Sequence, residues 1–298
     1  MTSALILAAG FGTRLRPLTL ELPKPAVPVG DRPLIAHVAE ACRRGGIARL
    51  VANAHHEHAK LSRIIRDLEL EIQVVVEAEI RGTAGGVAGA RAHFEPGPVL
   101  VWNADILTEP PVTALVELAR ARDAQVLAVA PRPVGEGTIG LGDDGSVVRL
   151  RGRVFGTEAQ SGDYIGVMAL GAGVVERLPD QGCLLGDVAL PHLARGGKVW
   201  SVPSLAPWTD LGDLGAYVRA SFEWLSGQKQ PVWQGRDVRL EPAVTLERCL
   251  LGSGVRVLGS GLVSEVIAWP GAAFSAPLAR SVVLGSGLVV PFDAPAKN

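Results

Sequence analysis

Cysteine is scarce in this sequence. There are three in 298 residues, Cys42, Cys183 and Cys249, and no two lie close together. That spacing excludes a zinc finger or a Cys-x-x-Cys redox motif and points to packed free thiols in a reducing compartment. Long apolar runs are also missing, since no stretch approaches the ~18 continuous apolar residues of a membrane span. The short apolar run at residues 4–9 follows Met1-Thr2-Ser3 with no basic residue before it, so it does not read as a secretory signal. Charge of one sign is lacking too. The 29 basic and 30 acidic residues leave a net charge of −1, without runs or tails. The basic footprint of a nucleic-acid binder is therefore absent. These absences together lead us to expect a cytoplasmic protein with neither membrane nor nucleic-acid partners.

What is present is apolar material, 48% of a chain long enough for two domains. Short apolar runs at 4–9, 49–53, 72–76, 99–102 and 125–130 read as buried strands. Amphipathic segments at 32–44, 58–68, 83–92 and 112–122 read as helices between them. The first has Pro33 where an initial helical turn accepts it and Gly45-Gly46 as a stop. Alternation of this kind predicts an α/β fold, a Rossmann-like, mixed but mostly parallel sheet flanked by helices. The pattern changes after the polar stretch Ser226 to Gln230, which reads as a linker. Beyond it, Val238, Val244 and Leu250 recur at a spacing of six among small and turn-forming residues. Such spacing suits stacked coils of short strands, in a degenerate repeat whose register slips after Leu250; a small irregular β-domain is the alternative on the pattern alone. The expected division is 1–229 and 230–298.

The loop after the first strand carries Gly10-Phe11-Gly12-Thr13-Arg14. Two glycines let the backbone approach a phosphate and point N–H groups at its oxygens, while Arg14 adds a cation and Thr13 a hydroxyl. The loop matches neither the P-loop nor the dinucleotide fingerprint, whose third glycine is here Leu15. Lys24 follows shortly, stiffened between Pro23 and Pro25. A second feature, His55-His56-Glu57-His58, lies between a strand and a helix. Only His55 and His58 share helical i, i+3 spacing, so it reads as a loop or cap rather than a metal site.

The run from Ala8 to Thr19, then Leu22-Pro23-Lys24-Pro25 through Val29 and Arg32-Pro33-Leu34, resembles the signature of the sugar-phosphate nucleotidyltransferases. These are the NDP-sugar pyrophosphorylases. The likeness is to the GDP-mannose pyrophosphorylase and N-acetylmuramate-1-phosphate uridylyltransferase branches. It extends through the first domain, and the remainder is similar to the left-handed β-helix tail of many members, in a shorter and less regular form.

The resemblance implies an enzyme that joins a nucleoside triphosphate to a sugar 1-phosphate with Mg²⁺, releasing pyrophosphate. By matching, Arg14, Lys24 and Asp105 are the expected catalytic residues, and Ala8, Ala9, Gly10, Gly12, Thr13, Gly82, Thr83 and Asn103 the nucleotide contacts. Asp105, in Asn103-Ala104-Asp105, and Asp210, in Trp208-Thr209-Asp210, are the implied metal ligands. Gly137 and Arg153 are the implied sugar-phosphate contacts. Here the chain departs from the family's Glu-Lys-Pro, carrying Arg151-Gly152-Arg153 instead. GTP with mannose 1-phosphate, or UTP with a sugar 1-phosphate, is the expected substrate pair. A non-catalytic regulatory subunit of the same fold is the alternative. An acyltransferase tail is disfavoured, because no histidine follows His192. Self-association through the C-terminal domain is the expected use of the tail.

Overall fold

The computed structural model describes residues 2–293. The chain packs as two compact units. One runs to Gly10 and resumes over Ile35–Asp210, and the other joins Phe11–Leu34 to the chain from Leu211 onward. The second unit thus includes a segment from near the N-terminus, which no linear division of the sequence anticipates.

In the first unit, β1 (Ser3–Leu7), β2 (Arg49–Ala54), β3 (Ile72–Val76) and β4 (Val99–Asn103) form a parallel core in the order β4-β1-β2-β3. Ser3, Ala4, Leu5 and Ile6 are all buried. An uninterrupted buried run suits a strand covered on both faces, which is why no apolar/polar alternation is visible. The sheet then turns mixed. The long strand β5 (Gln160–Leu170) runs antiparallel to β4 and also pairs with the strands Gln125–Arg132 and Ile139–Leu141. Helices Gly82–Ala90 and Val112–Arg122 lie where the periodicity places them.

The expected helix at 32–44 begins later. Arg32–Pro33 pairs instead with Pro28–Val29 in a small antiparallel hairpin, and the Leu34 N–H is taken by the Val27 carbonyl at 3.0 Å. The helix proper is Leu34–Arg44. Pro33 ends the hairpin rather than opening the helix, because Val27 captures the first amide beyond it.

In the second unit, helix Leu214–Gly227 is capped by Asp213, whose carboxylate accepts from the Ala216 N–H at 2.8 Å. The helix therefore runs into the stretch expected to be a linker. Beyond it, parallel strands stack with an offset of 17 residues. Val232 lies opposite Cys249, Arg239 opposite Arg256, Val244 opposite Gly261, and Leu250 opposite Ile267. Val238 and Val244 pack on the apolar core of this stack, but Cys249 and Leu251 enter it rather than Leu250. A strand alternates its faces, so one residue of slip exchanges the inward set. Trp269 ties the stack to the helix, its indole N–H donating to the Tyr217 hydroxyl at 2.9 Å. No helix among the described residues is long and apolar enough to cross a membrane.

Candidate active site

In the first unit, the expected site residues gather at the carboxyl ends of the parallel strands, where open α/β sheets bind ligands. Leu7, the last residue of β1, lies in register with both Asn53 and Asn103. Asn103 is followed by a tight turn to Ile106–Thr108, held from two sides. The Ala104 N–H donates to the Leu7 carbonyl at 3.2 Å, and the Trp102 indole N–H reaches the Ile106 carbonyl at 3.0 Å. Asp105 sits in this turn, half-buried. Strand Trp208–Asp210 runs antiparallel to Ile106–Thr108 and places Asp210 directly opposite Ile106. The Asp105 turn and the strand end that carries Asp210, over a hundred residues apart in sequence, are thus brought side by side. Two carboxylates set this way suit a hard cation that completes its shell with phosphate and water oxygens.

A buried polar network lies behind these loops, and the sequence reading missed it. Asn53, 3% exposed, accepts the Ala8 N–H at 2.8 Å and donates to Glu77 Oε1 at 2.7 Å. Glu77, 6% exposed, accepts from the Arg81 N–H at 3.4 Å through its other oxygen, and its carbonyl contacts His55 Nδ1 at 2.9 Å. One Asn–Glu pair thereby joins the start of the glycine loop to the Arg81-Gly82-Thr83 loop. His55, the first residue of the histidine cluster, is a partner of this network. The available signal was Asn53 closing an otherwise apolar strand.

Two expected nucleotide contacts are already committed. The Ala8 amide belongs to Asn53, and the Thr83 hydroxyl accepts from the Leu184 N–H at 2.8 Å. Gly82 has φ +74°, and a Cβ there would fall 2.4 Å from the Gly182 carbonyl oxygen. Only glycine lets this loop lie against residues 182–184.

The remaining loop residues belong to the second unit. Gly12, at φ +63°, opens a short 3₁₀ turn over Thr13–Leu15 that carries Arg14 outward, exposed. A Cβ on Gly12 would crowd Thr19 and the Cβ of Lys24 at 3.0–3.1 Å, and the Gly12 carbonyl accepts from the Thr19 hydroxyl at 2.8 Å. The loop glycine and the expected lysine are therefore packed neighbours, and Arg14 and Lys24 share one short segment.

On the sugar side the two expected residues separate. A cavity of about 470 Å³ is lined by Gly137, Thr138, Arg149, Arg151, Tyr164 and Leu185 among others, but not by Arg153. Arg151 and Gly152 both have positive φ, 49° and 75°. They form a two-residue hairpin turn between Val147–Leu150 and Arg153–Val154, so Arg153 returns opposite Leu150. Its guanidinium lies 5.7 Å from the centroid of Phe155, outside the cavity.

A carboxylate is nevertheless present nearby. Glu158 makes a two-pronged bond to Arg149 at 2.7 and 3.0 Å and accepts from the Gly135 N–H at 3.1 Å. The Arg149 guanidinium, with the Ser161 hydroxyl, lowers the Glu158 carboxyl to about 2. Cys183 accepts a hydrogen bond from Arg151 at 3.3 Å. Burial pushes its thiol up. The Gly186 and Leu185 amides, the Thr83 hydroxyl and the Arg151 charge outweigh that, and the thiol lies below its ordinary value.

Residues 3–226 match the family model described as nucleotidyl transferase. The chain is 28% identical over 276 residues to the probable mannose-1-phosphate guanylyltransferase 1 of Oryza sativa subsp. japonica, covering 88% of this chain and 71% of that one. It is 26% identical to the mannose-1-phosphate guanylyltransferase 1 of Arabidopsis thaliana, covering 88% and 78%. Among solved structures, HddC from Yersinia pseudotuberculosis complexed with GMP-PN superposes with a TM-score of 0.62 at 22% identity. That superposition covers 75% of this chain and all of HddC, and shares the fold. The chain belongs to the nucleotidyl transferase family.

Proposed function

We propose that this protein transfers a nucleoside monophosphate from a nucleoside triphosphate to a sugar 1-phosphate, giving an NDP-sugar and pyrophosphate. GTP and mannose 1-phosphate are the first pair to test, given the named activities of its relatives, with UTP and other sugar 1-phosphates next. The observation that supports the reading is the pairing of Asp210 against Ile106, which brings the strand end of Asp210 beside the turn that holds Asp105.

In this scheme a sugar-phosphate oxygen attacks the α-phosphorus, and the bond to the pyrophosphate oxygen breaks. Attacker and target are both anionic, so the protein must neutralise charge and align the groups; no proton transfer is needed. Asp105 and Asp210 are the oxygen donors that would hold a Mg²⁺, whose charge would offset that of the phosphates. Arg14 and the amides of Gly10, Gly12 and Thr13 would hold the departing β- and γ-phosphates, and Lys24 the α-phosphate. Ala9, Gly82 and Asn103 would line the nucleoside. Gly137 and Arg151 would face the sugar phosphate. We read residues 1–229 as the catalytic domain and 230–298 as a degenerate left-handed β-helix available for self-association.

A pyrophosphate-release assay tests this, crossing four nucleoside triphosphates with a panel of sugar 1-phosphates in the presence of Mg²⁺. Turnover should appear for at least one pair and fall by roughly 10³-fold or more in Asp105→Ala, the scale of losing a principal transition-state charge partner. Silence across the grid would favour the regulatory-subunit alternative. Near-normal turnover in Asp105→Ala would overturn the metal assignment.

A further inference from the structure

The first unit contains a second cavity, of about 500 Å³, that the proposed transfer does not use. It lies at the other end of the sheet. Its wall includes Gln125 and Trp200, which begin their strands. Gln125 lies opposite Leu170, and Leu170 opposite Val99, the first residue of β4. The Asp105 turn follows the last residue of that same strand, so β4 separates the cavity from the candidate active site.

The lining is rich in cations, Arg122, Arg177, Arg195 and Lys198, with His192 beside them, against the carboxylates of Asp123 and Asp187. Both carboxylates are engaged. Asp123 accepts from the Gly173 N–H at 2.7 Å and lies 3.7 Å from Arg177, while Asp187 accepts from the Cys183 N–H at 2.7 Å. Lys198 is paired at 2.7 Å with Asp144. Arg122 stacks 4.6 Å from the Trp200 ring centroid. Among the described residues, neither Arg122 nor Arg195 has a carboxylate partner. Gln125 is 4% exposed and lines the same cavity, its amide nitrogen donating to the Met168 sulfur at 3.2 Å and the Leu184 carbonyl at 3.5 Å. Two arginine forks without carboxylate partners and a weakly bonded buried amide in one concavity match a phosphate-bearing small molecule.

The cavity wall is also connected to the candidate active site. The π-helix Leu184–Ala189 carries Asp187 and Val188 on the cavity and Leu185 on the Arg151 pocket. Its first amide, that of Leu184, is bonded to Thr83 in the Gly82 loop, and the Cys183 sulfur before it is bonded to Arg151. π-Turns often mark functional segments. Here the turn is a single wall between two cavities.

We propose that this cavity is an effector site for a small phosphorylated metabolite, which acts on the Arg151 pocket and the Gly82 loop through residues 183–189. The binding half of this inference stands independently of the proposed transfer; the regulatory half rests on it.

The test is calorimetric titration of the full chain carrying Lys24→Ala and Asp105→Asn, which disables the proposed transfer site. The probes are inorganic phosphate, pyrophosphate, a hexose 6-phosphate and a nucleoside monophosphate. At least one should bind with a stoichiometry near one per chain. Adding Arg195→Glu should weaken that binding roughly tenfold or more, the scale of a lost charge-assisted bond. Arg195→Gln serves if the reversal disturbs folding. In the otherwise wild-type chain, Arg195→Glu should leave basal turnover intact and abolish any effect of the probe on the KM for sugar 1-phosphate. Absence of binding by every probe, or binding indifferent to both Arg195 variants, would overturn the site. Binding without any change in KM would overturn the regulatory role alone. A chain without turnover would remove the proposed transfer and leave the binding result standing.

Discussion

The two ends of the candidate active site in the first unit are built differently. The glycine-loop end is made of backbone. The Ala8 and Arg81 amides are fixed by the buried side chains of Asn53 and Glu77, the Ala104 amide by the Leu7 carbonyl, and Gly82 by its close approach to Gly182. The Arg151 cavity is made of long side chains on exposed hairpins, held by surface ion pairs such as Arg132–Asp163 and Arg149–Glu158. Buried amide partners cannot be exchanged without leaving an orphaned polar group, whereas surface pairs contribute little and are readily replaced. The first end is therefore constrained in kind and position. The second is free to change with its ligand.

The largest expected effect of breaking this contrast is at Asn53. Asn53→Ala leaves the Ala8 N–H without an acceptor and Glu77 Oε1 without its donor, both in the interior. The cost should be roughly 2–4 kcal/mol. That corresponds to a fall in Tm of roughly 5–15 °C for a unit of this size, measurable by calorimetry. Arg151→Ala should leave the Tm almost unchanged. Equal destabilisation by the two would show that the ends are not built as differently as their bonding indicates.

This contrast also explains what could be read in advance. Special backbone conformations demand special residues, so Gly12 and Gly82 were visible in the sequence. The parallel core was visible because strands covered on both faces read as unbroken apolar runs. Asp105 and Asp210 stood out through their motifs, and the pairing of Trp208–Asp210 with Ile106–Thr108 brings their segments side by side. The different placement of Arg151 and Arg153 was not legible, because it depends on one turn. With Arg151 and Gly152 at positive φ, the chain reverses two residues before Arg153. The Asn53–Glu77 bond was not legible at all, since it joins strands 24 residues apart that the sheet makes neighbours. The membership of residues 11–34 in the C-terminal unit was equally hidden. It depends on tertiary contacts such as that of Glu21 with the Ser286 hydroxyl at 2.6 Å.

The next effect in size concerns that turn. Under the proposed transfer, Arg151→Ala should raise the KM for sugar 1-phosphate by roughly 10–100-fold, the range of a lost arginine–phosphate bond. Arg153→Ala should change it by less than about twofold, as expected of an exposed residue stacked on Phe155. Steady-state kinetics of the two variants side by side decides the matter. The reverse ranking would restore Arg153 as the phosphate clamp.

The smallest effect is one of pH, and it probes the ion pair that braces the Arg151 side. Glu158 is held at about 2 by Arg149 and Ser161, whereas an unfolded glutamate titrates near ~4.3. A carboxyl lowered in the folded state binds fewer protons there than in the unfolded chain. Its contribution is therefore complete above the unfolded value and is lost as the pH falls from there toward about 2. Glu158→Gln keeps the shape and removes the charge. Relative to wild type, it should lower stability by on the order of 1 kcal/mol at neutral pH, because the pair is only partly shielded from water. The gap between the two proteins should narrow progressively below pH ~4. Chemical denaturation at a series of pH values measures it. A gap that stays constant down to acid pH would mean that the glutamate acts through shape and its bond to Gly135 rather than through charge. The two-pronged contact with Arg149 would then be a consequence of the hairpin rather than a brace for it.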